Sequence, residues 1–202
     1  MKAQVPWIIK KIIKNVTWRG NKNEKIVHLT FDDGPVPEVT PNVLDILDEF
    51  DVKATFFCVG DNVRKYPETY DEILKRGHAV GNHTFNHVKG FSLPVANYVE
   101  NVKKAGELIQ SKLFRPPHGQ INPKLIKALG ADYNIVMWDF ITFDYDKKVT
   151  PEEIMKIIRS RTRNGSIVVF HDSLKAEKNV LTTLPQALSF WKEMGYVLKK
   201  IE

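Results

Sequence analysis

The 202-residue sequence is poor in cysteine: Cys58 is the only one. An internal disulfide is thereby excluded, and Cys58, set in the apolar run ATFFCVG, reads as a buried, inert thiol rather than a nucleophile. Long hydrophobic runs are also lacking, none approaching the ~18 to 20 residues needed to span a bilayer. No linker rich in Pro, Gly or Ser divides the chain, and no repeat or low-complexity tract is present. Residues 21–202 therefore read as one domain, long enough to bury a real core. The formal charge of +6 raises the question of nucleic acid. The lysines, however, are scattered through helical segments, with only short clusters such as Lys10-Lys11 and Arg159 to Arg163, and no aromatic-and-basic recognition motif is visible. A nucleic-acid partner is not expected.

Residues 1–20, MKAQVPWIIKKIIKNVTWRG, stand apart. They have no continuous apolar h-region and no small-residue cleavage site, so they do not read as a cleaved signal peptide. A location in the cytoplasm or peripheral to the inner membrane is expected. Val5, Ile8, Ile9, Ile12, Ile13 and Val16 fall on one side at helical spacing, with Lys10, Lys11 and Lys14 on the other. This amphipathic pattern has two readings: a helix packed over the domain, or a helix on an anionic membrane surface with Trp7 and Trp18 at the interface.

Beyond that segment β-rich runs alternate with helical patterns. Strands are expected at 25–31, 54–59, 78–81, 113–117, 134–138, 166–171 and 196–201. Thr40-Pro41 and Thr150-Pro151 each offer an N-cap followed by Pro at the first helical position, and Glu153 completes a capping box with Thr150. Gly77 and Gly195 sit where helix C-caps belong. Alternating strands and helices imply an α/β fold with a mainly parallel sheet, and seven repeats suggest closure into a distorted (β/α)7 barrel preceded by the N-terminal amphipathic helix. An open doubly wound sheet is the alternative.

In such a barrel the chemistry gathers at the C-terminal ends of the strands. Asp32 and Asp33 follow the first strand, His83 and His87 the third, Arg115 the fourth, Asp139 and Asp144 the fifth, and His171 with Asp172 the sixth. Adjacent carboxylates repel, so the Asp32-Asp33 pair calls for a cation or an Arg. Two histidines at i, i+4 in HTFNH, joined to a carboxylate from another strand end, make a two-His-one-carboxylate set with coordination positions left open for water and substrate. The isolated His28 and His78 read as structural. Trp138 and Phe143 read equally as core residues or as sugar-stacking platforms, and Asp172 as a brace for the loop after His171.

TFDDGP (30–35), HTFNH (83–87), RPPHG (115–119), WDFITFDY (138–145) and VVFHD (168–172), in this order, resemble the five motifs of the NodB-type polysaccharide deacetylases, carbohydrate esterase family 4. The likeness runs over roughly residues 26–201. It implies a distorted seven-stranded barrel and a metal-dependent hydrolase that removes N-acetyl groups from amino-sugar glycans such as peptidoglycan, chitooligosaccharides or a related glycolipid. By the same likeness Asp32 is the general base, Asp33, His83 and His87 hold one divalent metal, Arg115 pairs with Asp32, and His171 is the general acid. Zinc is the expected ion, with cobalt, nickel or iron as alternatives. The resemblance also places His118, Trp138, Tyr145 and Val169 at the substrate, His118 standing where the family usually has Tyr and Val169 where it has Leu. The fourth motif departs further: Ile141 occupies the position of the Asp that orients the catalytic His, so Asp139 or Asp144 is expected to supply that tether. The partner expected is an N-acetylated carbohydrate, and the chain is expected to act as a monomer. A carbohydrate-binding relative weakened in turnover, and a deacylase or O-acetyl esterase of the same fold, are the competing readings.

Overall fold

The computed structural model describes residues 4–201. Strand β1 (Ile26–Asp32) is its centre, with six of seven residues buried, as expected of a strand covered on both faces. It pairs in parallel with β2 (Thr55–Cys58) through its C-terminal half and with β7 (Ser166–His171) along its length. Outward from β2 lie β3 (Ala79–Asn82), β4 (Leu113–Phe114) and β5 (Asn134–Ile135), and outward from β7 lies β6 (Phe140–Ile141). The wall order is β5-β4-β3-β2-β1-β7-β6, and every pairing is parallel. This is the distorted barrel of seven parallel strands, and not the open doubly wound sheet. The seventh strand of the wall is β6, however, which was not expected because only four residues separate it from β5 and the two read as one run. The run at 196–201 supplies β8 (Val197–Lys199), which pairs with the N-terminal part of β1 outside that path.

No ladder joins β5 to β6, and the chain's N-terminal segment occupies that seam. Thr17 bridges to Val136 just past β5, Gln4 bridges to Phe140 in β6, and Arg19 bridges to Ser166. Helix α1 (Trp7–Ile12) is shorter than the amphipathic pattern predicts, because Ile13 turns to extended backbone at φ −89°, ψ 95°. That break rotates Ile13 and Val16 onto the core beside Ile126 and Ile135, while Trp7, Ile8 and Ile12 stay exposed. The apolar stripe is therefore split between core and solvent.

The helices α2 (Thr40–Glu49), α3 (Gly60–Lys65), α4 (Pro67–Lys75), α5 (Val95–Gly106), α6 (Pro123–Leu129), α7 (Pro151–Arg161) and α8 (Glu177–Glu193) cover the outside of the sheet. Helix α7 carries the capping box of Thr150 and Glu153, and Gly77 and Gly195 adopt φ of +80° and +75° after α4 and α8, conformations that cost glycine little. Thr40 is not an N-cap. It lies inside α2, and its hydroxyl accepts from the Val36 N–H and donates to Asp172, a buried acceptor that outcompetes the helix end. The main core lies between β1, β2, β7 and the helices α2, α7 and α8, with Phe31 stacked on Phe56 at 4.9 Å. Cys58 is fully buried, which raises its thiol pKa by desolvation.

Candidate active site

Strand register brings the first two groups together. Asp32 and His171 are direct partners across β1 and β7, so the last residues of two neighbouring strands open on the same end of the barrel. Arg115, just after β4, reaches Asp32 from the far wall. Its Nη1 donates to Asp32 Oδ1 at 2.6 Å and to Thr30 Oγ1 at 2.7 Å, while Nε and Nη2 donate to the carbonyls of Val136 and Met137. The guanidinium is wholly buried, 4.0 Å from the Phe57 ring. A desolvated Arg with this many fixed partners is a positioned cation beside Asp32.

Asp33 points the other way. Its φ of +84° turns the chain sharply, and the Asn62 amide donates to its carbonyl at 2.8 Å. The carboxylate then faces His83 Nε2 at 3.7 Å and His87 Nε2 at 3.0 Å. One ligand atom from each of the three lies within 4.8 Å of the others. A tetrahedral ion held at about 2.1 Å from nitrogen and oxygen ligands spaces them about 3.4 Å apart, so the set fits a divalent ion with little adjustment. The protonation states fit as well. Burial drops the His83 pKa to about 4, and its Nδ1 lies 2.8 Å from the Arg115 carbonyl. Nδ1 therefore carries the proton and Nε2 offers its lone pair, as a ligand histidine requires. Burial opposes charge on Asp33, but the His87 hydrogen bond and the nearby His171 and His83 hold its carboxyl below the usual carboxylate range.

His171 is oriented by Asp144. Asp144 Oδ1 accepts from His171 Nδ1 at 2.8 Å and Oδ2 from the His171 backbone N–H at 2.7 Å. Burial works against the imidazolium, yet Asp144, with Asp33 and Asp32 beyond it, raises the His171 pKa to about 9. Nε2 is left to face the cleft. Asp139, the other residue expected to serve as tether, does not. It sits just before β6 next to Ser166, five residues before His171 along β7, about 16 Å away at strand spacing. Its carboxylate is taken up by Arg163, Lys10 and Ser166.

The substrate-side expectations divide. His118, at φ +57°, packs its ring 4.7 Å from that of His87, and its backbone N–H finds no protein acceptor among the described residues. Trp138 lines the cleft while also packing on the core, so the two readings of that residue coexist. Tyr145 lies edge-on to His171 at 4.8 Å. Val169 is a correction. It is completely buried one layer below His171, and the cleft wall there is made by Ile141 and Phe143. Asp172 braces the segment after β1 and not, as expected, the loop after His171: it accepts from the Gly34 N–H at 3.0 Å and from Thr40. A Cβ at residue 34 would lie 1.9 Å from its Oδ2, which explains the glycine in DDGP. Burial and nearby Asp33 push the Asp172 carboxyl up to about 8, against the opposing Thr40 hydrogen bond.

Together these groups surround one cleft of about 570 Å³. Asp33, Thr84, His87, His118 and Phe143, five of the seven non-glycine residues with positive φ, lie at or beside it, a concentration of backbone strain typical of functional sites.

Residues 19–135 match the profile of the polysaccharide deacetylases. The chain belongs to that family. Within it, a peptidoglycan-N-acetylglucosamine deacetylase of Bacillus cereus is 36% identical over 188 residues, 90% of this chain and 88% of that protein. The chain spans only 38% to 58% of three other curated deacetylases. A solved peptidoglycan N-acetylglucosamine deacetylase in complex with 4-naphthalen-1-yl-N-oxidanyl-benzamide superposes with a TM-score of 0.89 at 29% identity, covering 98% of this chain and 95% of that one. A family 4 pseudoenzyme from Bacillus anthracis superposes with a TM-score of 0.84 at 26% identity, covering 95% and 71%. The polysaccharide deacetylase fold thus also carries an inactive relative, so the side chains and not the fold bear on turnover.

Sequence reasoning missed several residues of this deacetylase cleft. Gln4, Val5, Pro6 and Ile9 line it from the N-terminal segment, and Lys175 stands at its rim after β7. Thr30, the second acceptor for Arg115, is not singled out by the sequence. The amphipathic pattern of residues 5–16 was visible, but periodicity does not tell which neighbour a stripe faces. No helix among the described residues is long and apolar enough to cross a membrane.

Proposed function

We propose that this chain is a divalent-metal-dependent hydrolase that removes N-acetyl groups from an amino-sugar glycan, with peptidoglycan as the first substrate to test and zinc as the first ion. One observation carries the reading: Asp32 held by Arg115, His171 held by Asp144, and the Asp33, His83 and His87 set all open on one cleft. A carbohydrate binder has no use for a base, an acid and a metal set so arranged.

When bound by Asp33, His83 and His87, the ion supplies Lewis acidity toward the attacking water and the amide carbonyl. Asp32, fixed in direction by the Arg115 hydrogen bond, takes the proton of the attacking water. As charge builds on the former carbonyl oxygen, the free backbone N–H of His118 donates to it, and one such donor is typically worth ~10² to 10³ in rate. His171 holds a proton on Nε2, secured by Asp144 behind it, and delivers it to the departing amine nitrogen. Collapse yields acetate and the free amino sugar.

Acetate release is the test. Protein stripped with a chelator and reloaded with Zn²⁺ or Co²⁺ is given N-acetylglucosamine oligomers and purified peptidoglycan, alongside O-acetylated sugars. Release from the N-acetyl substrates, lost in Asp32→Asn, supports the reading. Release from O-acetyl esters alone favours the esterase alternative, and no release from any of them overturns the proposal.

A further inference from the structure

We propose that residues 4–9 form a specificity wall: Val5, Pro6 and Ile9 are the contact surface for the apolar face of a glycan laid across the cleft, and the Lys10–Asp139 ion pair positions them. The inference rests on the deacetylase reading above and deepens it.

The cleft lining is chemically mixed. Titratable side chains reach it from the ends of β1, β3 and β7 and from the segments after β4 and β6, and the N-terminal segment adds the apolar Val5, Pro6 and Ile9, with Ile141 beside them in the lining. Pyranose rings have C–H faces that pack on apolar side chains while their hydroxyls meet water and polar groups, and burying such a surface is favourable in proportion to its area. The wall lies outside the part of the chain that matches the family profile, which begins at residue 19, so it is a feature through which members sharing the same reacting groups can differ in substrate.

The segment is held at few points. Gln4 bridges to Phe140 through its backbone and its Nε2 donates to Asp139 Oδ1 at 3.5 Å, and Lys10 Nζ donates to the same oxygen at 2.7 Å. Asp139 is completely buried and is also gripped by Arg163 and Ser166. Desolvation would favour its neutral form, but Arg163 and Lys10 bring its pKa down to about 2, so the anchor stays ionised. A fixed anion just before β6 therefore pins the lysine that directly follows Ile9. This assigns a role to the Asp139 carboxylate, which lies remote from His171.

Ile9→Ser keeps the backbone and removes the apolar contact; the expected effect is a rise of about tenfold in KM for N-acetylglucosamine pentamer with kcat within twofold, because uniform binding is lost and no reacting group is touched. Lys10→Met leaves Asp139 paired with Arg163 and should shift KM in the same direction, with rescue by Lys10→Arg; thermal midpoints and circular dichroism confirm that both variants are folded. An unchanged KM in Ile9→Ser, or a fall in kcat at constant KM, overturns the inference. Should the parent chain release no acetate, the deacetylase reading fails separately. The wall is then judged by calorimetric titration of Asp32→Asn with the pentamer: a Kd raised about tenfold by adding Ile9→Ser supports it, and an equal Kd or no binding overturns it.

Discussion

Replacing Asp144 with Asn removes one negative charge from behind His171 while keeping the side chain's shape. In the wild-type chain burial disfavours the His171 imidazolium, but Asp144 at 2.8 Å, helped by Asp33 and Asp32, raises its pKa from 6.5 to about 9. At about 1.4 kcal/mol for each tenfold change in proton affinity, this couples protonation to folding by roughly 3 kcal/mol. Because the folded pKa lies above the unfolded one, that stabilisation is fully present below pH 6.5 and is lost as pH rises through about 9. Asp144→Asn should therefore lower unfolding free energy by an amount of that order at pH 6 and by much less at pH 9.5. With Asp144 neutral, burial prevails and His171 should titrate at or below 6.5. The assay is NMR titration of the His171 ring protons in chelator-treated protein, since a cation held by Asp33 would itself lower the value, paired with urea unfolding at both pH values. In the loaded enzyme the alkaline limb of kcat/KM should move to lower pH in the variant. Titration of His171 near 6.5 in the wild type, or at the same pH in both proteins, refutes the reasoning.

Two further substitutions follow from the buried network. Arg115→Met strands the Asp32 carboxylate in the barrel; breaking a buried pair costs about 3 to 5 kcal/mol, so the urea midpoint should fall markedly and acetate release should drop by at least ~10²-fold in whatever protein remains folded. Thr40→Val deletes the hydroxyl joining the Val36 N–H to Asp172 and should cost about 1 to 3 kcal/mol in thermal unfolding; an unchanged midpoint would contradict the buried link.

How far the site was legible depends on the range of the signal. Asp32, Asp33, His83, His87 and His171 were legible because each lies at or just after a β-rich run, and in a parallel barrel all such ends open on one face. Asp139 and Asp144 were indistinguishable from sequence, since both follow the same apolar run; only the pairing of β6 with Val168 and Val169 puts one near Ser166 and the other near His171. Strand β6 itself was hidden by its closeness to β5, from which only four residues separate it. Val169 was expected at the substrate, but pairing with Thr30 and Ile141 buries it in the layer beneath. Thr40 shows the same limit: local spacing favours a cap, and a partner 132 residues away claims the hydroxyl. The N-terminal segment was recognised as amphipathic, yet the bridge from Gln4 to Phe140 and the tie from Lys10 to Asp139 depend on which edge strands the barrel leaves unpaired.

The convergence of Asp33, His83 and His87 on a single divalent ion is tested most directly by crystals grown with Zn²⁺ and measured at the zinc absorption edge. One anomalous peak is expected in the cleft, about 2.0 to 2.2 Å from His83 Nε2, His87 Nε2 and an Asp33 carboxylate oxygen. Zinc bound at other residues, or a cleft without a peak at saturating zinc, would contradict the account.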